Sequence, residues 1–338
     1  RTTTTSAEAK DMRVKHPVRS TFNLLFRHAM VEAQLIVTRR CNLSCGYCSE
    51  FDKTSECIPL EALTARIDAL HRLHAINITL LGGEPLLHPD LPAIVAYADR
   101  AAQVSLTTNG FLLTADLIGR LNDAGLANME VSVDGLRADR TGYIQKCLKT
   151  VRSKLELLRQ RARFDVHVNL VLCEQTKGEF TDAIRELNSL GFPVSLGLLH
   201  DASGSVSIAG DDYLALWRDC YANRRPFSYI DEEYGAQLLS GKQPAWKCRA
   251  GSRFLYVDEF GNAQFCSAQR GRLNKPITEY ASHDVSEHGK TFKGCEAGCS
   301  LLCHYRDSAV DNRPFHAAAS MIKLATRGSL RAGGTAAR

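Results

Sequence analysis

The stretch Cys41-Asn42-Leu43-Ser44-Cys45-Gly46-Tyr47-Cys48 carries the strongest structural signal in the chain. Its CxxxCxxC spacing puts three thiolates within reach of one centre, and Gly46 lets the loop bend closely around that centre. Three protein ligands leave one coordination position open, as catalytic metal sites do, whereas structural sites are closed. A structural metal loop that takes a fourth ligand from elsewhere in the chain is the alternative.

The segments that follow this loop alternate between strand and helix patterns. Strands are predicted over Ala33–Val37, Ile76–Leu81, Val104–Thr107, Met129–Val133, Asp165–Leu172 and Val194–Leu198. Helices are predicted between them, over Leu60–Leu73, Pro92–Ala102, Thr114–Ala124, Leu148–Arg161 and Phe180–Leu190. This alternation indicates an α/β fold with a parallel sheet and helices outside it. A partial (β/α)6 TIM-like barrel and an open doubly wound sheet both fit the periodicity.

Polar motifs stand at the ends of three of these strands. Gly82-Gly83-Glu84-Pro85 follows the second strand, Thr107-Thr108-Asn109-Gly110 the third, and Val131-Ser132-Val133-Asp134-Gly135 ends the fourth. Glycines allow a ligand to approach the backbone, and Glu84 can accept hydrogen bonds from an ammonium group. Each motif alone is also compatible with an ordinary turn. Together they predict a site at the carboxyl edge of the sheet, where barrel enzymes have theirs.

Five further cysteines cluster near the C-terminal end. Phe254–Val257 and Ala263–Cys266 predict a hairpin whose turn contains Gly261. This pattern indicates a second metal or cluster site, and a structural zinc site is the alternative. The five cysteines are Cys248, Cys266, Cys295, Cys299 and Cys303. The charge run Lys146–Arg163 is interpreted as a solvated helix face.

Composition excludes several classes of protein. The 338 residues are 44% hydrophobic and 23% charged, as in a folded globular protein. The net charge of +5 belongs to the two ends of the chain, so a basic groove for nucleic acid is not expected. No apolar run reaches the length of a membrane span. The polar first 20 residues do not resemble a secretory signal, so we expect a cytoplasmic protein with reduced thiols.

The cysteine loop and the Gly82–Pro85 motif together resemble the radical S-adenosylmethionine (SAM) superfamily, over about residues 33–200. The resemblance implies that Cys41, Cys45 and Cys48 bind three irons of a 4Fe–4S cluster and that SAM binds the fourth. An electron donor such as flavodoxin or ferredoxin would then drive cleavage of SAM to methionine and a 5′-deoxyadenosyl radical, which takes hydrogen from a substrate. The implied SAM-binding residues are Tyr47, Gly82, Gly83, Glu84, Pro85, Thr108, Asn109, Ser132, Asn169 and Leu196. Asp134, His200 and Asp201 are expected on the substrate side.

The C-terminal segment resembles the SPASM/Twitch auxiliary-cluster extension of that superfamily. The resemblance rests on Cys248, twelve residues, Gly261, four residues and Cys266, and it implies a second 4Fe–4S cluster. Which four of the five cysteines bind that cluster stays open. The expected substrate is a peptide or protein that the enzyme matures, and the alternative is a small molecule such as a sugar, cyclitol or lipid. A non-catalytic metal-binding scaffold is a remote alternative, which the Gly82–Pro85 motif disfavours.

The predicted organisation has five parts. They are an N-terminal extension (1–29), the radical SAM core (30–202), a linker with a helix (203–247), the auxiliary-cluster segment (248–310) and a flexible basic tail (311–338).

Overall fold

The computed structural model describes residues 17–27, 29–139, 141–223 and 228–320. Its strands are β1 Glu32–Thr38, β2 Asn77–Gly82, β3 Gln103–Thr108, β4 Asn128–Val133, β5 Asp165–Leu172, β6 Val194–Leu198, β7 Phe254–Val257, β8 Asn262–Gln264 and β9 Lys275–Pro276. Its helices are α1 Pro17–Phe26, α2 Leu60–Arg72, α3 Leu91–Ala98, α4 Ala115–Asp123, α5 Leu148–Arg161, α6 Phe180–Leu190, α7 Asp211–Asn223, α8 Glu232–Leu239, α9 Ser282–Lys290 and α10 Leu302–Asn312.

Strands β1 to β6 form a parallel sheet in chain order. Along each strand, alternate side chains enter the main hydrophobic core, which the helices complete; Leu35, Leu80 and Val131 are examples. The residues between them face the other side of the sheet, away from these helices, and are mostly polar. We call this side the inner face. The predicted α/β fold with a partial TIM-like barrel is confirmed, and the sheet does not close within the described part of the chain.

Local signals account for several element boundaries. The Thr114 hydroxyl accepts a hydrogen bond from the Leu117 amide at 3.1 Å and caps α4. Gly191 ends α6 with a φ of 84°, a left-handed conformation that glycine adopts without strain. Helix α3 ends at Ala98, four residues before its predicted end.

The C-terminal hairpin belongs to the same sheet as the barrel. Strand β7 pairs in parallel with β1, with Phe254 opposite Glu32, and β8 pairs antiparallel with β7. The predicted auxiliary-cluster segment, which begins at residue 248, therefore shares its sheet with the radical SAM core. Its first strand, β7, lies directly beside β1, the strand that leads into the cysteine loop.

Two predicted segments contain more helix than expected. The segment 203–247, predicted as a linker with one helix, holds both α7 and α8. We expected a flexible tail from residue 311, but α10 extends to Asn312 and residues 314–320 are helical. The rest of that tail, residues 321–338, lies outside the described residues. In the described ranges no helix has the length and apolar character needed to cross a membrane.

Candidate active site

The first cysteine loop, Cys41–Cys48, follows β1 at the carboxyl edge of the sheet. Cys45 is buried, whereas Cys41 and Cys48 are partly exposed. Burial raises the pKa of the Cys41 and Cys45 thiols, and the nearby Cys48 sulfur adds to both rises. The three sulfurs are thus close enough to interact electrostatically. This donor set fits an iron–sulfur cluster, which takes thiolate ligands.

A second segment of chain clamps this loop. The Gly46 amide donates to the Tyr143 carbonyl at 3.1 Å, and the Gln145 side chain exchanges hydrogen bonds of 3.1 and 2.8 Å with the Ser44 backbone. A Cβ on Gly46 would lie 2.4 Å from the Tyr143 ring. Gly46 is therefore required for packing against Tyr143, a reason that the sequence did not reveal.

Gly82 and Gly83 pack against the backbone that leads into the loop. A Cβ on Gly82 would lie 2.0 Å from the Thr38 carbonyl oxygen, and one on Gly83 would lie 2.3 Å from that of Arg39. The Gly83 amide also donates to the Thr38 carbonyl at 2.8 Å. Only glycine allows this approach, so the motif fixes where the cysteine loop starts.

Glu84 joins the ends of β2 and β3. Its carboxylate, which is 1% exposed, accepts hydrogen bonds from the Thr108 hydroxyl (2.6 Å), the Asn109 amide (2.8 Å) and the Leu86 amide (3.0 Å). Burial raises the pKa of Glu84, and these three donors oppose the rise. A carboxylate has about four acceptor positions, and these hydrogen bonds use three of them. The side-chain amide of Asn109 donates to the side-chain oxygen of Asn42, in the cysteine loop, at 2.8 Å.

Asp134, Tyr47 and Lys146 form a buried cluster beside the loop. The Tyr47 hydroxyl donates to Asp134 at 2.7 Å, and the Lys146 ammonium lies 3.4 Å from the other oxygen of Asp134. Burial lowers the pKa of Lys146, but the charges of Asp134, Cys45 and Cys48 outweigh burial and raise it overall. The interpretation of Lys146 as part of a solvated face is wrong, because its side chain is 16% exposed. Asp134 is fully buried here and orients Tyr47, where we expected it to face substrate.

Of the other residues predicted to bind SAM, two lie on the inner face of the sheet and two do not. Ser132 and Asn169 are paired neighbours on the inner face of the sheet, and Asn169 accepts a hydrogen bond from Ser195 at 3.1 Å. Leu196 is not brought to this face, because its side chain lies in the core between sheet and helices. Pro85 is buried and begins a short 3-10 turn.

His200 and Asp201 stand in an exposed turn after β6. The Asp201 carboxylate accepts from the amides of Ser203 and Ser205, at 2.8 and 3.1 Å. The Ser203 hydroxyl, which donates to the same carboxylate at 2.6 Å, lowers the pKa of Asp201 most, and the two amides add to this effect. Both residues therefore shape the turn that leads to Ser205, which forms a β-bridge with Cys299.

Four of the C-terminal cysteines form one electrostatic set. Burial raises the pKa of Cys248 and of Cys299 to about 12 and that of Cys266 to about 11. Cys248 interacts with Cys266 and Cys299, and Cys295 interacts with Cys266 and Cys299. We call Cys248, Cys266, Cys295 and Cys299 the second cysteine group.

Cys303 is separate from the second cysteine group. It stands in the first turn of α10 and packs beside Ile36, Phe254 and Tyr256 on the inner face of β1 and β7. Burial raises its pKa, and Glu32 contributes more to the rise than Cys299 does.

Neither cysteine set has the geometry of a single-ion site. Among the residues that the structure describes, no three His, Cys, Asp or Glu side chains surround one point closely enough to hold an ion. In a 4Fe–4S cluster each cysteine binds a different iron, so the cysteines stand further apart than the ligands of a single ion.

A polar network joins the two cysteine regions. One Glu50 oxygen, two residues beyond Cys48, accepts hydrogen bonds from Arg39 (2.9 Å), Arg270 (2.9 Å) and the Tyr256 hydroxyl (2.5 Å). Arg270 also pairs with Glu259 at 2.9 Å in the hairpin turn. Sequence reasoning missed this network because Glu50 and Arg270 are 220 residues apart.

A histidine–glutamate contact lies on the inner face. His167 on β5 contacts Glu130 on β4 at 3.0 Å and Asn128 at 3.3 Å. Burial raises the pKa of Glu130, but the hydrogen bond and charge of His167 outweigh burial and lower it overall. The inner wall is thus charged as well as polar.

Comparison with known proteins agrees with this geometry. Residues 35–199 match the model of the radical SAM superfamily. This part of the chain is a radical SAM domain. The relatives that it matches are cyclases and synthases, so the domain is that of an enzyme.

Several relatives are similar in sequence. The chain is 27% identical to a probable GTP 3',8-cyclase of Aeropyrum pernix over 258 residues, which cover 70% of this chain and 68% of that protein. It is 30% identical to the AdoMet-dependent heme synthase of Methanosarcina barkeri over 164 residues, 46% of each chain. It is 28% identical to the PqqA peptide cyclase of Bradyrhizobium diazoefficiens over 157 residues, 45% of this chain and 41% of that one. The chain thus spans less than half of these last two proteins.

Solved structures extend the fold likeness beyond the radical SAM domain. The structure of native anSMEcpe with bound AdoMet matches with a TM-score of 0.56 at 17% identity. The match covers 89% of this chain and 97% of the anSMEcpe chain. Streptococcus suis SuiB bound to its precursor peptide SuiA has a TM-score of 0.58 at 13% identity and covers 86% and 74%. At these identities the likeness establishes the fold alone.

Proposed function

We propose that this chain is a radical SAM enzyme with two iron–sulfur clusters that modifies a peptide or protein. The observation that carries the proposal is the arrangement of two separate cysteine sets on one sheet, joined through Glu50. Cys41, Cys45 and Cys48 would bind the first cluster and leave one iron for SAM. The second cysteine group would bind the other cluster with four thiolates.

The chain's own residues suit the SAM site. The Glu84 carboxylate and the backbone of Gly82–Gly83 would bind the SAM amino group, and Ser132 and Asn169 would contact the ribose. Thr108 and Asn109 hold Glu84 in place through their hydrogen bonds. When bound, the first cluster supplies the electron that cleaves the SAM sulfonium. Asp134 keeps Tyr47 oriented against the loop while this happens.

The second cysteine group would hold a cluster that could take up the electron released when the substrate radical is oxidised. Its four thiols are all at least half-buried in the structure, with Cys248 at 7% and Cys266 at 5% exposure. Cys303 stays outside the ligand set and faces the barrel interior. A flavodoxin- or ferredoxin-type protein would donate the electron to the first cluster.

The peptide assignment rests on the C-terminal half. SuiB bound to SuiA and anSMEcpe share the fold over more than four fifths of this chain, beyond residue 199 where the family match ends. The PqqA peptide cyclase is among the sequence relatives. A small-molecule substrate is the second candidate, because the match to the probable GTP 3',8-cyclase is longer, at 258 residues.

The two candidates differ in what stimulates SAM cleavage. The reconstituted enzyme is incubated anaerobically with dithionite and SAM, and 5′-deoxyadenosine is measured with a pool of random peptides or with GTP and a pool of sugars. We expect the peptide pool to raise the rate. Stimulation by GTP or sugars alone would assign the small-molecule class. A content of about eight irons per chain supports two clusters, and about four contradicts the second.

A further inference from the structure

The Arg272 side chain lies beside a sulfur of the second cysteine group. Its Nη1 atom donates to the Cys295 sulfur at 3.9 Å and to the side-chain oxygen of Gln269 at 3.0 Å. Its Nη2 atom donates to the Lys293 carbonyl at 2.6 Å. The two oxygen acceptors hold the guanidinium in place next to the sulfur. Arginine stays charged in proteins, so this is a fixed positive charge.

A second cation, Lys293, is buried in the same region. Lys293 is 4% exposed, and its ammonium donates to the carbonyls of His288 and Thr291 at 2.7 and 3.1 Å and to the Thr291 hydroxyl at 3.1 Å. The ammonium also lies 4.8 Å from the centre of the Phe265 ring, which packs in one apolar cluster with Cys248. An ammonium has three donors, and these three acceptors satisfy them.

One acidic side chain, Glu296, stands against these two cations. Glu296 directly follows Cys295 and is 8% exposed, and its carboxylate accepts a hydrogen bond from the Lys293 amide at 2.7 Å. Arg249, at the other side of the group, is paired with Asp311 at 3.4 Å. Around Cys295 the structure therefore places two positive charges and one negative charge.

An iron–sulfur cluster gains negative charge when it takes up an electron. Nearby cations and hydrogen bonds to its sulfurs therefore favour the reduced state and raise the reduction potential. We propose that Arg272 and Lys293 have this effect on the cluster that the second cysteine group would bind. The inference rests on the proposed function, because it needs that cluster. Both residues act through the cysteine sulfurs and not on a substrate.

The test is a redox titration of the full chain, followed by the electron paramagnetic resonance signal of the reduced cluster. The triple variant Cys41→Ala/Cys45→Ala/Cys48→Ala removes the ligands of the first cluster, so only the second contributes to the signal. In this background Arg272→Gln should shift the midpoint potential to more negative values. Arg272→Lys keeps the charge and should shift it less. Glu296→Gln removes a negative charge and should shift it to more positive values.

The buried cation and a distant arginine complete the set of variants. Lys293→Gln should shift the midpoint potential in the same direction as Arg272→Gln. The matched control is Arg120→Gln on α4, which loses the same charge from an exposed position in the radical SAM domain. It should leave the potential unchanged. Arg272 is also exposed, so its variants should stay folded and hold their iron.

Two results would overturn this inference alone. They are a potential of Arg272→Gln equal to that of the control, and shifts of the same sign in Arg272→Gln and Glu296→Gln, since a general disturbance of the fold does not distinguish the sign of a charge. Both are read on protein that holds about four irons per chain, so they leave the proposed function intact. A triple-cysteine variant that holds no iron would overturn the second cluster and this inference together.

Discussion

The first cysteine loop and the second cysteine group differ in what surrounds their sulfurs. The loop lies among charged and polar groups, with Lys146 and Asp134 beside it and Gln145 holding its backbone. The second group is more deeply buried, and burial raises the pKa of three of its thiols to about 11 or 12. A loop with three sulfurs at a polar, accessible edge suits a centre that must receive a ligand. Four sulfurs that are all at least half-buried suit a centre that is closed.

The largest expected effect tests which sulfurs belong to the closed centre. Cys299→Ser should remove about four irons per chain, because it breaks a four-thiolate ligand set. Cys303→Ser, four residues away on α10, should keep the full iron content. Iron and sulfide analysis of both reconstituted variants decides between them. Loss of iron in Cys303→Ser with none in Cys299→Ser would reverse the assignment.

The next effect concerns the charge beside the open loop. Lys146→Gln should destabilise the protein by about 3 kcal/mol, because Asp134 is fully buried and would lose its counterion. Urea unfolding of the protein without clusters measures this directly. Lys149→Gln, an exposed neighbour, is the matched control, and Lys146→Arg should restore most of the stability. If Lys146→Gln is as stable as the control, the buried pair of Lys146 and Asp134 does not stabilise the folded protein.

The ion pair between Glu50 and Arg270, which links the two cysteine regions, should contribute less to the free energy of unfolding. A double-mutant cycle on Glu50→Gln and Arg270→Gln should find a coupling of about 1 kcal/mol, since both side chains are partly exposed. The exposed pair Asp123 and Arg163 serves as the control and should show almost no coupling. If both cycles give the same value, Glu50 does not couple the two regions.

The smallest effect is a dependence of stability on pH. The folded-state pKa of Glu130 lies below its ordinary value of 4.5, so its contribution is present above about pH 4.5 and is lost as the pH falls through the folded pKa. In Glu130→Gln, the stability lost on acidification should therefore be smaller than in the wild type, by less than about 1 kcal/mol. Unchanged acid sensitivity in this variant would mean that the His167 contact contributes nothing.

Local patterns were sufficient to predict most of the fold. The predicted ranges Leu148–Arg161, Asp165–Leu172 and Phe180–Leu190 are those of α5, β5 and α6, because periodicity and the Gly191 stop are written into short stretches. The position of β7 beside β1 is a pairing between distant segments, and no local pattern specifies it.

The candidate site divides in the same way. The cysteine loop and the Gly82–Pro85 motif are contiguous and could be found from the sequence. Lys146 and Arg270 act through partners far along the chain, so their roles appear only after folding. Leu196 was predicted to contact SAM, but its side chain lies in the core between sheet and helices, because successive residues of a strand face opposite sides of the sheet. Gly197, its neighbour, is the residue on the inner face.

The most direct test of the central claim is 5′-deoxyadenosine release from SAM by the anaerobically reconstituted protein in the presence of dithionite. The wild type should release it, Cys45→Ala should release none, and Cys266→Ala should still release it, because only the first loop leaves an iron for SAM. Release by Cys45→Ala at the wild-type rate, or none by a wild-type protein that holds its full iron, would contradict the account.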